Sequence, residues 1–335
     1  MRENGVSVIV CCYNAAKRLE PTLTHLFSQR FSTPVNWEII VVDNASTDET
    51  ANVAYRLYDQ SETSIAFTVV FEPKPGLSFA RECGFRNSRY DIALMVDDDN
   101  WLCENYVETI HTHFARNENL GMVGGLGLPE LSIQAPEWFS RYAYCYATGH
   151  QSETEKAELL YGAGLALRLS FLDHLRERGF TSILSDRVGN TLISGGDTEL
   201  CMAFRMAGFE LKYDRNITFK HQLPEGRLNW QYLKRLFYGF GVTKAKMDIY
   251  TAAISGKPIP KSGKLPFWFN RFYFLSTQIL NDFPTLISGK FGPLEGNDRL
   301  LTATAKLGHI AGIWNARREL PSLYEQVYKL KNAFN

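Results

Sequence analysis

The sequence carries no net charge, with 36 lysines and arginines against 36 aspartates and glutamates. A balanced chain has no global field to recruit nucleic acid, so no nucleic-acid partner is expected. No apolar stretch approaches the ~18 uninterrupted residues that mark a membrane-spanning helix. The apolar run inside "MRENGVSVIVCCYN" is too short for a signal peptide, and no cleavage-like site follows it. Six cysteines in 335 residues form neither a CxxC pair nor a disulfide-like framework. Cys11 and Cys12 stand side by side in a strand-like run, where they act as small apolar groups. A reducing, cytoplasmic compartment is therefore expected. Also absent are a GxxxxGK phosphate loop, an HExxH pair, a GxSxG elbow and a GxGxxG turn after a strand. Any phosphate must be handled by side chains and a metal ion.

What is present is a globular composition, 45% hydrophobic and 21% charged, with ample material for a core. Four runs rich in Val and Ile, at 6–12, 37–43, 65–71 and 91–97, read as strands covered on both faces. Between them, Leu19, Leu23, Leu26 and Phe27 repeat with helical spacing. The stretch from Ser46 reads as a helix start, with Ser46 and Thr47 as caps and Asp48 and Glu49 in the first turn. This β-α-β alternation predicts a mainly parallel sheet wound with helices, whose ligands bind beyond the carboxyl ends of the strands. From about 122 to 228 the pattern is mixed and loop-rich, with a helix expected near Asp197 and short strands around 210–221. Beyond 229 it reads as helical. The expected division is an α/β domain over 1–228, in two parts at about 1–120 and about 121–228. A helical C-terminal extension over 229–335 follows.

The stretch "ALMVDDDNWL" raises the chemical question. Asp97, Asp98 and Asp99 follow an apolar strand, and such neighbours repel one another more strongly the more they are buried. In a strand-like continuation Asp97 and Asp99 share one side and offer hard oxygen ligands to Mg2+ or Mn2+. The alternative is a solvated turn leading into a helix.

Four stretches occur in order: "VSVIVCCYNAAKRLEPTLTHLFSQ", "WEIIVVDNASTDET", "PGLSFARECGFRNS" and "MVDDDN". In order and spacing they resemble the inverting family 2 glycosyltransferases of the GT-A fold, and "SGGDTELCMAFRMAG" and "FKHQLPEGRLNWQYLKRLFYGFG" continue the likeness. The resemblance implies a mixed, mainly parallel sheet flanked by helices and a site built from named residues. Tyr13 resembles the aromatic that stacks on the nucleotide base, with Cys11 and Asn14 beside it in the nucleotide-sugar set. Asp43 resembles the acid that accepts a hydrogen bond from the base, although a local Asx turn would also explain it. Arg81 resembles the arginine near the nucleotide and the metal-site acids. Asp97 and Asp98 would hold ribose or the donor sugar. Asp99 would be the direct metal ligand, with His221 completing coordination or contacting phosphate. Asp197 resembles the general base at the start of a helix, or else simply caps that helix. Arg227 is a weaker candidate for the diphosphate, and Trp101 and Trp138 are candidates for sugar-stacking walls or for core packing. The chain departs from the family pattern at Cys11 and Cys12, at Glu82 and at Gly196, which stands where the acid before the base is usual.

The implied activity is inverting, Mn2+- or Mg2+-dependent transfer of a sugar from a nucleoside-diphosphate sugar to a hydroxyl of a saccharide or lipid-linked acceptor. Glycan or polysaccharide synthesis is the expected setting. A catalytically degenerate sugar-nucleotide-binding protein and a sugar nucleotidyltransferase are the alternatives. "FWFNRFYF" at 267–274, preceded by Lys257, Lys261 and Lys264, could rest on the cytoplasmic face of a membrane. It could equally pack on the catalytic domain or form a dimer contact.

Overall fold

A computed structural model describes residues 2–184, 192, 194–260, 266–291 and 294–334. Its strands are β1 (Glu3–Cys12), β2 (Trp37–Asp43), β3 (Ala66–Phe71), β4 (Tyr90–Asp97), β5 (Asn100–Leu102), β6 (Leu120–Leu131), β7 (Leu165–Arg168) and β8 (Glu210–Leu223). The helices of the first half are α1 (Leu19–Phe27), α2 (Thr50–Gln60), α3 (Leu77–Asn87), α4 (Tyr106–Arg116), the one-turn α5 (Phe139–Tyr142) and α6 (Leu169–Glu177). Those of the second half are α7 (Gly196–Met206), α8 (Trp230–Ile254), α9 (Phe267–Phe291), α10 (Asp298–Ala316) and α11 (Leu320–Asn332).

These elements form two compact units that interleave along the chain rather than dividing at one point near 228. One comprises Met1–Glu130, Ala143–His174 and Gly208–Leu223; the other comprises Leu131–Tyr142, Leu175–Ala207 and Pro224–Asn335. The loop-rich middle is thus shared between them.

The first unit is built on an eight-stranded sheet of order β3-β2-β1-β4-β7-β6-β8-β5. The strands β1 to β4 pair in parallel, whereas β7 runs antiparallel to both β4 and β6, and β5 antiparallel to β8. Val6, Val8 and Val10 pack with Ile39, Val41, Leu94 and Val96 under Leu19, Leu23 and Leu26 of α1, all buried. The continuous apolar runs exist because helices cover the central strands. Two expectations change. The region 210–221 is part of one 14-residue strand. The helix after β2 begins at Thr50, because the expected caps face the loop after β1: Ser46 Oγ accepts from Asn14 N at 3.0 Å, and Thr47 N donates to Asn14 Oδ1 at 2.8 Å.

In the second unit α8 and α10 approach closely enough that side chains would not fit between them. A Cβ on Gly241 would lie 2.0 Å from Ala305 O, and one on Gly308 would lie 2.1 Å from Tyr238 O. Asn229 and Asn297 cap α8 and α10 by accepting from Tyr232 N at 2.9 Å and Leu300 N at 3.0 Å. Ile249, Tyr250, Leu275, Ile313 and Val327 form the core, with Trp268 and Phe272 of the aromatic stretch packed against it. Other apolar residues of α9, namely Tyr273, Phe274, Leu280, Phe283 and Ile287, are exposed. Lys261 and Lys264 lie outside the described residues. No described helix is long and apolar enough to cross a membrane.

Candidate active site

Parallel register brings three strand ends together. Cys12 of β1 pairs with Asp43 of β2, and Cys11 pairs with Asp97 of β4. Asp43 and the acidic run therefore share the carboxyl edge of the sheet, the expected place for a ligand. Asp43 is buried, and its Oδ1 accepts from Ser46 N at 3.1 Å, so this carboxylate also closes its own turn. Its neighbour Asn44 donates to the carbonyls of Glu72 (3.2 Å) and Lys74 (2.7 Å) and accepts from Gly76 N (2.7 Å), pinning the entry to α3. From α3, Arg81 is buried. Burial pushes the Cys11 thiol up to about 12, while the Arg81 cation acts to lower it and Asp97 to raise it. A thiol that stays protonated serves packing and is no nucleophile.

The loop after β1 is laced to the loop after β2. Asn14 sits at φ 49°, in the left-handed region that asparagine tolerates. Thr47 N donates to Asn14 Oδ1 at 2.8 Å, and Ala15 N donates to Thr50 Oγ1 at 2.8 Å. Tyr13, at the tip, is 49% exposed, as a ring waiting for a stacking partner would be.

The three acids do not continue the strand. Asp97 ends β4, Asp98 and Asp99 form a tight turn, and Asn100 opens β5, so strand-like alternation does not apply to them. The positive partner that their proximity demands is Arg18. Its Nε donates to Asp98 Oδ1 and its Nη2 to Asp98 Oδ2, both at 2.7 Å, a bidentate fork. Burial raises the Asp98 carboxyl above the usual range, with the Arg18 hydrogen bonds pulling it back down. Both Asp98 oxygens thus serve a protein partner, although the residue was expected to face ribose or sugar. Arg18 was not among the expected residues, and the basic pair Lys17-Arg18 after the first strand was its only local trace.

Asp99 and His221 stand side by side. Asp99 is buried; its Oδ1 accepts from Asn100 Nδ2 at 3.1 Å and lies 3.5 Å from His221 Nε2. His221, on β8 opposite Asn100, approaches the Tyr146 carbonyl through Nδ1 at 2.7 Å. A carbonyl only accepts, so Nδ1 carries a hydrogen, and Nε2 is the ring atom that faces the Asp99 carboxylate. A carboxylate and an imidazole nitrogen side by side are ligand types that suit a divalent cation. No cluster of three such ligands occurs among the described residues. This pair would leave the remaining positions to water and diphosphate oxygens, the manner in which Mg2+ is commonly held.

Trp101 on β5 stacks on His25 with ring centroids 6.0 Å apart. Trp138 and Arg227 lie in the second unit. Trp138 is buried edge-on against Trp230 at 5.6 Å, and Arg227 ends a short turn of helix before α8.

Asp197 also belongs to the second unit and is half-buried in the first turn of α7. It does not occupy the cap position, which is Gly195; its Oδ1 accepts from Thr198 N at 2.8 Å. Gly195 is required by close packing, since a Cβ there would lie 2.6 Å from Thr243 Cγ2 of α8. Two residues after Asp197, Glu199 is completely buried and accepts from Ile183 N (2.8 Å), Leu184 N (3.1 Å), Tyr250 OH (2.7 Å) and the Ser182 hydroxyl. Its sequence position marks it only as a first-turn acid of α7.

Comparison with known proteins agrees with this arrangement. The model of the family "Glycosyl transferase family 2" matches residues 7–176, just over half of the chain. The glucosyl-dolichyl phosphate glucuronosyltransferase of Haloferax volcanii is 22% identical over 251 residues, covering 73% of this chain and 77% of that one. The poly-beta-1,6-N-acetyl-D-glucosamine synthase of Staphylococcus aureus is 23% identical over 121 residues, 36% of this chain and 28% of the synthase. Among solved structures, the mannosyltransferase PcManGT from Pyrobaculum calidifontis in complex with GDP-Man and Mn2+ superposes with a TM-score of 0.52. It is 18% identical, with 100% of this chain and 85% of that chain covered. S. aureus TarS 1-349 in complex with UDP-GlcNAc gives 0.51 at 14% identity, covering 98% and 90%. These structural likenesses carry the fold, which is the GT-A arrangement expected.

Proposed function

The chain belongs to glycosyltransferase family 2, and from that premise we propose that it is an inverting enzyme. It takes a sugar from a nucleoside-diphosphate donor and passes it to an acceptor hydroxyl in glycan synthesis, with Mn2+ or Mg2+ as cofactor. The observation that carries the reading is the Asp99–His221 pair at the sheet's carboxyl edge, beside Asp43, Arg81 and the exposed ring of Tyr13. Tyr13 stacks on the base, Asp43 accepts from it, and Arg81 and Asp97 face the donor. Cys11 and Asn14 shape the floor and rim of the same pocket. Asp99 and His221 hold the cation, which supplies charge neutralisation at the departing diphosphate. Asp197 takes the proton of the acceptor hydroxyl as that oxygen attacks the anomeric carbon. The bond to diphosphate breaks on the opposite face, and the configuration inverts.

A lipid-linked acceptor suits this chain. One relative is named for a dolichyl phosphate substrate, and α9 turns Tyr273, Leu280, Phe283 and Ile287 outward, within about 100° of the helix circumference at the α-helical period. A bilayer surface would cover such a face.

The test is calorimetry with UDP, GDP, CDP, ADP and dTDP, each with and without Mn2+. The wild type is expected to bind one of them in a Mn2+-dependent way, and Asp99→Ala to lose that dependence. Equal, metal-independent affinity in both proteins would overturn the metal assignment.

A further inference from the structure

Arg18 makes four hydrogen bonds that join two separate parts of the donor pocket. Beyond the fork on Asp98, its Nη1 donates to the Asn14 carbonyl at 2.8 Å and its Nη2 to the Tyr13 carbonyl at 2.9 Å. The same guanidinium therefore grips the backbone under Tyr13 and the turn that leads to Asp99. Thr22 of α1 adds a second tie, donating from Oγ1 to the Asp98 carbonyl at 3.0 Å. On its other side the 13–16 loop is held by Ser46, Asp48 and Thr50, through Asn14 N (3.0 Å), Ala16 N (3.2 Å) and Ala15 N (2.8 Å). Removing Arg18 would free the inner edge of that loop and leave the outer edge fixed. Lysine cannot replace it, because an ammonium is a point donor and cannot span a carboxylate and two carbonyls in one plane.

We propose that Arg18 is a positioning residue that locks the Tyr13–Asn14 backbone to the Asp98–Asp99 turn, so that the grip of Tyr13 on a nucleotide depends on it. This rests on the donor-site reading above. The guanidinium touches neither donor nor acceptor in this role; it fixes where the ring stands relative to the acids. A bond that served only general stability would lower the melting temperature and leave the worth of Tyr13 unchanged. A positioning bond makes the two residues non-additive.

The experiment is a double-mutant cycle on the full chain: wild type, Tyr13→Ala, Arg18→Gln and the double variant. Each is titrated by calorimetry with the five nucleoside diphosphates in Mn2+ and melted to check folding. Loss of a stacking ring should cost the wild type about tenfold in affinity. In the Arg18→Gln background the same truncation should cost less than about threefold, by the coupling expected of residues that share a bond network. Arg18→Lys should resemble Arg18→Gln in affinity while melting nearer the wild type. Should Arg18→Gln fail to fold with Asp98 left unbalanced, the cycle is run on Arg18→Gln with Asp98→Asn, which removes both charges. Equal fold-losses in the two backgrounds overturn the inference and leave the donor site standing. A folded wild type that binds none of the nucleotides overturns the donor-site reading, and this inference with it.

Discussion

Glu199→Gln is the substitution whose cost can be worked most directly from the structure. The carboxylate is fully buried and accepts four hydrogen bonds, two at each oxygen: Ile183 N and Tyr250 OH at Oε1, Leu184 N and Ser182 Oγ at Oε2. One side chain of α7 thus holds the 182–184 loop and α8. Glutamine has the same shape but one oxygen and one NH2. Either orientation turns the NH2 toward one hydroxyl and one backbone N–H. Ser182 or Tyr250 can rotate its hydroxyl and accept from it; the amide of Leu184 or Ile183 cannot. One buried N–H is therefore orphaned in both orientations, a penalty of about 1–3 kcal/mol. Burial raises the Glu199 carboxyl above its ordinary range, while the hydrogen bonds from Ser182, Ile183, Tyr250 and Leu184 act to lower it. A carboxyl raised in the folded state contributes its stability in full below its unfolded value and loses it as the pH climbs through the folded value. Glutamine does not titrate, so the gap between the proteins should settle at about 1–3 kcal/mol at high pH, where the ionised carboxylate makes all four bonds, and should widen as the pH falls through the folded value. Urea unfolding followed by fluorescence reads it, because Trp230, Trp268 and Trp314 all lie in the same unit as Glu199. A gap under about 0.5 kcal/mol at high pH, or one that widens as the pH rises, would refute this account of the anchor.

Two further outcomes follow from the same geometry. Asp197→Asn should cut transfer by roughly 10²–10⁴-fold if the carboxylate is the base. It should leave nucleotide affinity unchanged and cost under about 1 kcal/mol of stability, since Gly195 occupies the cap position; near-normal transfer would remove Asp197 from the mechanism. Leu280 and Phe283 are 71% and 56% exposed, so Leu280→Ser with Phe283→Ser should leave the melting temperature alone. The pair should reduce co-sedimentation with phosphatidylcholine–phosphatidylglycerol vesicles by about tenfold or more. A wild type that ignores the vesicles, or a dimer that the pair dissociates, would remove the bilayer from the reading.

What could be read from the sequence was what repeats locally. The strand run 37–43 coincides with β2 and 91–97 differs from β4 by one residue at the start, because doubly covered parallel strands need uninterrupted apolar residues; 65–71 likewise matches β3 to one residue, but β3 is an edge strand with no buried residue and is not covered on both faces. The start of α2 was misplaced because Ser46 and Thr47, the expected caps, bond instead to the loop after β1. The candidate site divides along the same line. Asp43 and the acidic run could be placed at strand ends, since a strand run also tells where its carboxyl edge lies. Arg18 and Glu199 could not be found, because their partners stand 80 residues away at Asp98 and 51 residues away at Tyr250. The three acids show why this matters. Their repulsion correctly demanded a positive charge, and a cation was the natural candidate when only neighbours in sequence were visible. The fold supplies a protein cation to Asp98, while Asp99 turns to His221 in an arrangement suited to a metal. Two adjacent carboxylates, alike in sequence, thus have different partners, an arginine of α1 for Asp98 and a histidine of β8 for Asp99.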